Sequence, residues 1–428
     1  MSHAKHSEGF DGFIDHVDED FVVGWAWNPK LPSAPIELEG RIDGVVFSRW
    51  EAGLYRADLE QAGKGDGRHA FEISLPPALK DGQQHQFRIV YSGSNIDVPG
   101  SPRLIKPDGA IESQAAESAA GASLKSYRSK FGGFWTDLPN ASAVIEGKRS
   151  LGWISDTEAT LLRQWVENGF VVLKQAVPHD WIDWLDEEVE QIWTGRAPVE
   201  SFVEFWNNGV QTIEPAGPSF VDKRVKLLDL YVHSQTARQI IFSSPMIRFL
   251  TLVFERPLVA FQSLYFRWGS QQDIHQDSAF VRVSSPLEFA ASWIALEDIQ
   301  PESGELEYYV GSHLLDDYLF EGKAKWMPRT GKDHYLPFIK SLQDRAESRG
   351  LELQQFRPQK GDALIWTADL AHGGSKQALE GRTRKSIVTH YCPSDCEPVY
   401  AEVGEKYPRQ QFADNISYTV QPREFAAK

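Results

Sequence analysis

Along the first quarter of the chain, apolar and polar residues alternate in short runs that end at turn dipeptides. Phe21-Val-Val-Gly-Trp-Ala-Trp27 runs into Asn28-Pro29, and Ile36-Glu-Leu-Glu-Gly-Arg-Ile42 runs into Asp43-Gly44. Ala70 to Leu75 is followed by Asp81-Gly82 and then by His85 to Tyr91. A period of two puts successive side chains on opposite faces of a strand, and Asp-Gly and Asn-Pro supply the reversals. Residues 1–106 are therefore expected to form a small antiparallel β-sandwich. Residues 107–126, rich in Ala, Ser, Gly and Glu, have almost nothing to bury and read as a flexible linker, part of it a frayed helix.

Over residues 127–428 the period lengthens. Ser155-Asp-Thr-Glu158 is a capping box. Leu161, Leu162, Trp165 and Val166 follow at helical spacing, and Gly169 stops the helix. Phe170 to Leu173 reads as a buried strand. Pro178 opens a second amphipathic helix with Trp181, Trp184, Leu185, Val189 and Ile192 on one face, and 236–254 reads as a further helix. Strands are expected at Leu258–Phe266, Phe280–Val283, Phe289–Leu296, Glu305–Val310, Ala363–Ile365 and Ser386–Tyr391. Helices first and strands later predict an α+β, mainly β, fold: a helical scaffold behind a double-stranded β-helix, or jelly roll. An insertion at 316–350, carrying Trp326, Lys332, His334 and Tyr335, interrupts the strands and reads as a lid or substrate loop, or else as a disordered segment.

Composition narrows the class. A chain of 428 residues, 41% hydrophobic with 14 Trp and 24 Phe, can fill the cores of two or three domains. A net charge of −16 argues against nucleic acid and anionic lipid as partners. No apolar run reaches the ~20 residues of a membrane span. The first residues lack an apolar signal core, and Cys392 and Cys396 are the only cysteines. The expectation is a cytoplasmic protein whose two thiols are structural.

Candidate chemistry centres on His275-Gln276-Asp277. In extended backbone, residues two apart face the same side, so the imidazole and the carboxylate address a common point. His372, in Asp369-Leu-Ala-His372-Gly, is a third candidate ligand. Two His and one carboxylate match the facial triad of non-haem Fe(II), which leaves coordination positions open. The pair by itself reads more readily as a strand-end histidine bonded to Asp277. Trp25 and Trp27 share a face, for stacking on a sugar or for packing in the core.

Ser292-Trp-Ile-Ala-Leu-Glu-Asp298, Ser303-Gly-Glu-Leu306, Gly311-Ser-His313, His372-Gly and Arg384-Lys-Ser-Ile387 follow His275-Gln-Asp277 in order. Together they resemble the phytanoyl-CoA dioxygenase family of Fe(II)/2-oxoglutarate oxygenases over roughly residues 130–400. The resemblance implies that His275, Asp277 and His372 bind iron and that Arg384 holds the distal carboxylate of 2-oxoglutarate. It implies that Trp293 and Gln262 line the pocket, and that Lys226 either joins them or is a solvated lysine. Because Gly373-Gly374 follow His372, a hydroxyl contact shifts to Ser375. The interval from His372 to Arg384 is one residue longer than usual, which makes Arg382 a rival. His313 is read as loop-shaping and His390 as packed in the sheet. The implied reaction consumes O2 and 2-oxoglutarate, releases succinate and CO2, and hydroxylates an unactivated C–H bond of a small-molecule or glycan-linked metabolite. Two alternatives are a jelly-roll binding protein that retains metal without turnover, and a protein side-chain hydroxylase. Gly24-Trp-Ala-Trp27, Asp43-Gly44, Arg56-Ala-Asp-Leu59, Phe71 and Leu75-Pro76 are similar to β-sandwich modules attached to bacterial glycosyltransferases. That similarity implies a glycan-related accessory role for residues 1–106.

Overall fold

The structure, a computed structural model, describes residues 10–17, 21–76, 83–94, 96–105, 111–113, 127–150, 152, 154–207, 210–328, 333–379, 381–399 and 407–420. The Asp81-Gly82 turn, Lys332, Glu380 and all of the expected linker except 111–113 lie outside these residues. The chain divides into two compact units, Met1–Leu124 with Ala143–Asp156, and Lys125–Ser142 with Thr157–Lys428.

The first unit has two antiparallel sheets. One runs in the order Asp11–Val17, Phe21–Trp27, Arg68–Ser74, Leu54–Tyr55. The other runs Val45–Ala52, Ile36–Ile42, His85–Tyr91, Arg103–Ile105, Ile111–Ser113. The last of these strands falls inside the segment read as a linker. Ile14, Val22 and Phe71 from the first sheet and Leu38, Phe87 and Ile89 from the second are buried in one core. Gly24 lies opposite Phe71, where a Cβ would come within 2.6 Å of the Phe71 ring and 2.5 Å of the Phe13 carbonyl oxygen, so only glycine fits. Trp25 and Trp27 alternate with the buried Ala26, remain half-buried, and do not enter that core. The Lys64 ammonium lies 5.4 Å and 4.8 Å from their ring centroids.

The second unit is built on a ten-stranded sheet. Its main path runs Phe170–Leu173, Ala363–Thr367, Ala290–Ala295, Ser386–Pro393, Leu258–Phe266, Lys226–Leu228, Phe202–Asn207, Val210–Pro215. A separate three-stranded sheet has Leu306–Tyr309 between Leu353–Phe356 and His372–Gly374. Trp293, Leu364 and Trp366 of the large sheet share a core with Leu306, Tyr308 and Phe356 of the small one. The helix expected over 236–254 is two, Gln235–Ile241 and Ser244–Phe254. Pro245 sits in the first turn of the second, where its missing N–H is harmless, and it forbids a continuous helix. The strand expected at Phe280–Val283 does not form. Asp277–Ala279 is a 3-10 turn, and the Asp277 carbonyl accepts from the N–H groups of Phe280 (2.9 Å) and Val281 (2.7 Å). The hairpin Phe202–Asn207/Val210–Pro215 and the hairpin Arg409–Ala413/Ile416–Thr419 were not expected; the latter adds a strand parallel to Leu258–Ala260.

The insertion contributes a helix, Tyr335–Ser348, whose Phe338, Ile339 and Leu342 pack with Ile274, Ala279 and Ala371. Those three residues flank His275, Asp277 and His372. Lys325 is 3% exposed and sits 2.7 Å from Asp317 Oδ1 and 2.7 Å from Asp369 Oδ2. Among the described residues no helix is long and apolar enough to cross a membrane.

Phe71→Ala empties the centre of the first unit's core. The expected loss is about 3–5 kcal/mol of that unit's unfolding free energy, read by urea denaturation.

Candidate metal centre

Two stretches far apart in sequence meet at one backbone bridge. The His275 N–H donates to the His372 carbonyl at 2.8 Å, and the His372 N–H donates back at 2.9 Å. Glycine permits this approach: a Cβ on Gly373 would meet the Gln272 carbonyl oxygen at 2.7 Å, and one on Gly374 the Ser270 Oγ at 2.6 Å. Gln276 is extended (φ −107°, ψ 132°), so Asp277 faces the same side as His275. One ligand atom each from His275, Asp277 and His372 lies within 4.8 Å of the others, and all three residues are buried.

The backbone fixes the tautomers. His275 Nδ1 bonds the Asp273 carbonyl at 2.8 Å, and His372 Nδ1 bonds the Leu370 carbonyl at 2.9 Å. A carbonyl only accepts, so each ring carries its proton on Nδ1 and presents an Nε2 lone pair to the centre. Asp277 Oδ1 lies 3.6 Å from His275 Nε2 and 3.7 Å from His372 Nε2. The other oxygen, Oδ2, accepts from the Trp366 indole N–H at 2.8 Å. Burial pushes the His372 imidazole down to about 4 against the pull of Asp277, which keeps it neutral at physiological pH. Burial alone would raise the Asp277 carboxyl, but the imidazoles of His372, His275 and His390 hold it well below the usual carboxylate range. The result is two imidazole nitrogens and one carboxylate oxygen on a common point, a donor set that suits a divalent first-row metal.

Strand register extends the site along one face of the large sheet. Phe170, Trp366, Ala291, His390 and Gln262 are successive cross-strand partners, and Trp366 points at Asp277. Two residues along lies the row Val172, Leu364, Trp293, Val388, Leu264, and two further the row Ala295, Ser386, Phe266, Lys226. A period of two puts all three rows on the face that carries the centre. Gln262, Leu264 and Val388 are only half-buried on strands that are otherwise mostly buried, so part of this face is open.

Arg384, just before the strand Ser386–Pro393, is 2% exposed. Its guanidinium carbon lies 5.4 Å from the Trp293 ring and 5.6 Å from the Phe266 ring. Its Nε has no hydrogen-bond partner, and among the described residues no carboxylate lies within ion-pair distance. Burial pulls its pKa down to about 10, with Glu297 and Glu305 pulling the other way. Burying a guanidinium without a counter-ion is costly, and its planar fork of donors matches a carboxylate. Arg382 is exposed. Both arginines precede the strand, so alternation does not put them on one face. Two other residues named from the sequence have partners: Lys226 Nζ donates to Glu204 Oε1 at 3.0 Å, and Ser375 Oγ donates to Glu305 Oε2 at 3.2 Å. His313 packs on Gly169 and bonds the Val166 carbonyl at 3.1 Å, away from the ligand set.

Sequence reading missed Trp366 and the approach of His390 to Asp277. Period two from the half-buried Val388 would have put His390 on the working face. Nothing local marks Trp366.

His372→Ala removes one nitrogen donor and is expected to abolish saturable binding of Co(II), read by anaerobic calorimetry. Gly373→Ala keeps every ligand but drives a methyl group into the Gln272 carbonyl. Overpacking there should cost about 1–3 kcal/mol of stability and weaken Co(II) binding measurably, read in the same titration with a thermal melt beside it.

A scan of protein families matches residues 165–384 to the model described as Phytanoyl-CoA dioxygenase (PhyH). Phytanoyl-CoA dioxygenase domain-containing protein 1 homolog of Dictyostelium discoideum is 27% identical over 133 residues, 31% of this chain and 44% of that protein. The chain thus spans less than half the length of that relative. Among solved structures, the non-heme alpha ketoglutarate dependent epimerase SnoN from nogalamycin biosynthesis is 17% identical, with 58% of this chain and 87% of that chain covered and a TM-score of 0.43. HygX from Streptomyces hygroscopicus with nickel and 2-oxoglutarate bound is 16% identical, with 56% and 88% covered and a TM-score of 0.38. The family match takes in His275, Asp277, His372 and Arg384 and spans more than half of the 428 residues, and the chain belongs to the phytanoyl-CoA dioxygenase family.

Proposed function

We propose that this chain is an Fe(II)- and 2-oxoglutarate-dependent dioxygenase that hydroxylates an unactivated C–H bond of a small-molecule or glycan-linked metabolite, with release of succinate and CO2. The observation that carries the proposal is the buried, counter-ion-free Arg384 beside the working face that leads to the His275, Asp277 and His372 cluster. A dicarboxylate that reaches both answers two needs at once: an anion for the guanidinium and a chelating group for the metal. Iron with 2-oxoglutarate and O2 supplies the oxidising chemistry when bound.

The chain's own residues do the rest. His275 and His372 give Nε2 lone pairs fixed by their Nδ1–H bonds, and Asp277 gives Oδ1. Arg384 would hold the distal carboxylate, its guanidinium lying 5.4 Å from the Trp293 ring centroid. Gln262, Leu264 and Val388 line the open part of the wall. Lys226 and Ser375, bonded to Glu204 and Glu305, belong to the wall around the cosubstrate. The large sheet and the strand Leu306–Tyr309 with its neighbours are the two sheets of a double-stranded β-helix. Residues 1–106 are an accessory β-sandwich, with Trp25, Trp27 and Lys64 as its glycan-facing group, and residues 127–428 are the oxygenase domain. With Asp277 as third ligand, no site is left for a halide, and the product is hydroxylated.

The test is 2-oxoglutarate affinity under anaerobic Fe(II). Hydrogen bonds to charged groups contribute about 1.5–3 kcal/mol each, so Arg384→Lys is expected to weaken 2-oxoglutarate binding at least roughly tenfold while iron still binds. Arg382→Lys should change little. A larger loss in Arg382→Lys, or wild-type affinity in both, overturns the assignment.

A further inference from the structure

The two oxygens of Asp277 have different neighbours. Oδ1 faces both ligand histidines, at 3.6 Å and 3.7 Å from their Nε2 atoms. Oδ2 is turned to the large sheet, where Trp366 donates to it at 2.8 Å and His390 Nε2 lies 3.5 Å away. His390 is 3% exposed, and neither of its ring nitrogens has a hydrogen-bond partner among the described residues. Its ring packs with Phe261 and Phe289, at centroid distances of 5.9 Å and 6.2 Å. A buried imidazole normally directs its N–H at an acceptor. The carboxylate Oδ2 is the acceptor in reach, and it is in reach of Nε2. A proton on Nδ1 instead would find no acceptor and would turn an Nε2 lone pair toward a carboxylate. The tautomer that fits is therefore Nε2–H, the opposite of the one that His275 and His372 carry. His390 also occupies a fixed place in the sheet, opposite Ala291 on one side and Gln262 on the other.

We propose that His390 is a positioning residue of the metal centre: together with Trp366 it holds Asp277 Oδ2, so that the carboxylate meets the ion through Oδ1 alone. A carboxylate free to swing would chelate through both oxygens and fill a position that the cosubstrate or O2 requires. This inference rests on the iron and 2-oxoglutarate reading above and adds a residue to it.

Co(II) is the probe, because its visible d–d bands report coordination number and it can be titrated without turnover. In the full-length protein, His390→Leu is expected to bind Co(II) about 10–100-fold more weakly than wild type, the loss typical when an outer partner of a metal ligand is removed. Its d–d bands should shift, and the Co(II)-loaded variant should bind 2-oxoglutarate more weakly. His390→Gln, which returns an N–H donor, should recover part of the affinity and the wild-type bands. Trp366→Phe should move the spectrum in the same direction as His390→Leu. Wild-type Co(II) affinity and bands in His390→Leu overturn the proposal. If the leucine variant does not fold, His390→Asn takes its place, since its shorter amide stops short of Oδ2; wild-type bands and affinity there are equally fatal. Failure of the wild-type protein itself to bind Co(II) would sink the metal-centre reading and this inference with it. A normal wild type beside an unaffected His390 variant sinks this inference alone.

Discussion

Two backbone hydrogen bonds, between His275 and His372, are the constraint on which the second unit's chemistry depends. They close a contact between a loop that leaves the large sheet and a strand of the small one. Everything nearby serves that contact. Gly373 and Gly374 clear the space for it, and Ile274 and Ala371 on either side are packed by the insertion. Asp369 accepts from Ser278 and pairs with Lys325, which ties the two ligand-bearing segments to the insertion by charge as well. The insertion is thus a brace on the metal-bearing backbone before it is anything else.

The interior that results is unusually polar. His372 and Arg384 lie against Trp366 and Trp293, and His390 against Phe261 and Phe289, where an unpaired charge is costly. The structure limits that burden in different ways. Two imidazoles commit their Nδ1–H groups to backbone carbonyls, and the carboxylate receives an indole N–H. Arg384 Nε and both ring nitrogens of His390 have no hydrogen-bond partner among the described residues. Sites that must bind a charged ligand commonly retain this kind of local conflict.

Much of this was legible in the sequence because it is written in short-range pattern. Same-face placement of His275 and Asp277 needs only one extended residue between them, and Gln276 supplies it. The alternation in residues 21–27, 36–42, 70–75 and 85–91 marked four strands of the first unit, while Asp11–Val17, Val45–Ala52 and the shorter strands went unread. What was not legible was settled by tertiary contact. Trp25 and Trp27 look like core residues by composition, but Ala26 between them takes the inward position. Phe280 to Val283 has strand-forming residues, but the Asp277 carbonyl captures two of its N–H groups in a turn. The last strand begins at Ser386, as the pattern placed it, but the separation of buried Arg384 from exposed Arg382 lies in the segment before it, where alternation gives no guide. Trp366 reaches Asp277 across the sheets, and no spacing rule connects positions so far apart.

The bridge between His275 and His372 would also make metal binding and folding one equilibrium in the second unit. The three ligand atoms converge only after Ala290–Ala295, Ala363–Thr367 and Ser386–Pro393 have paired and the small sheet has docked. An ion held there binds the native state and has little to bind in the unfolded one, so it draws the folding equilibrium toward the native side by mass action. The first unit, whose sheets carry none of these ligands, has no share in that linkage. Metal supply would then act as a selective stabiliser of the second unit.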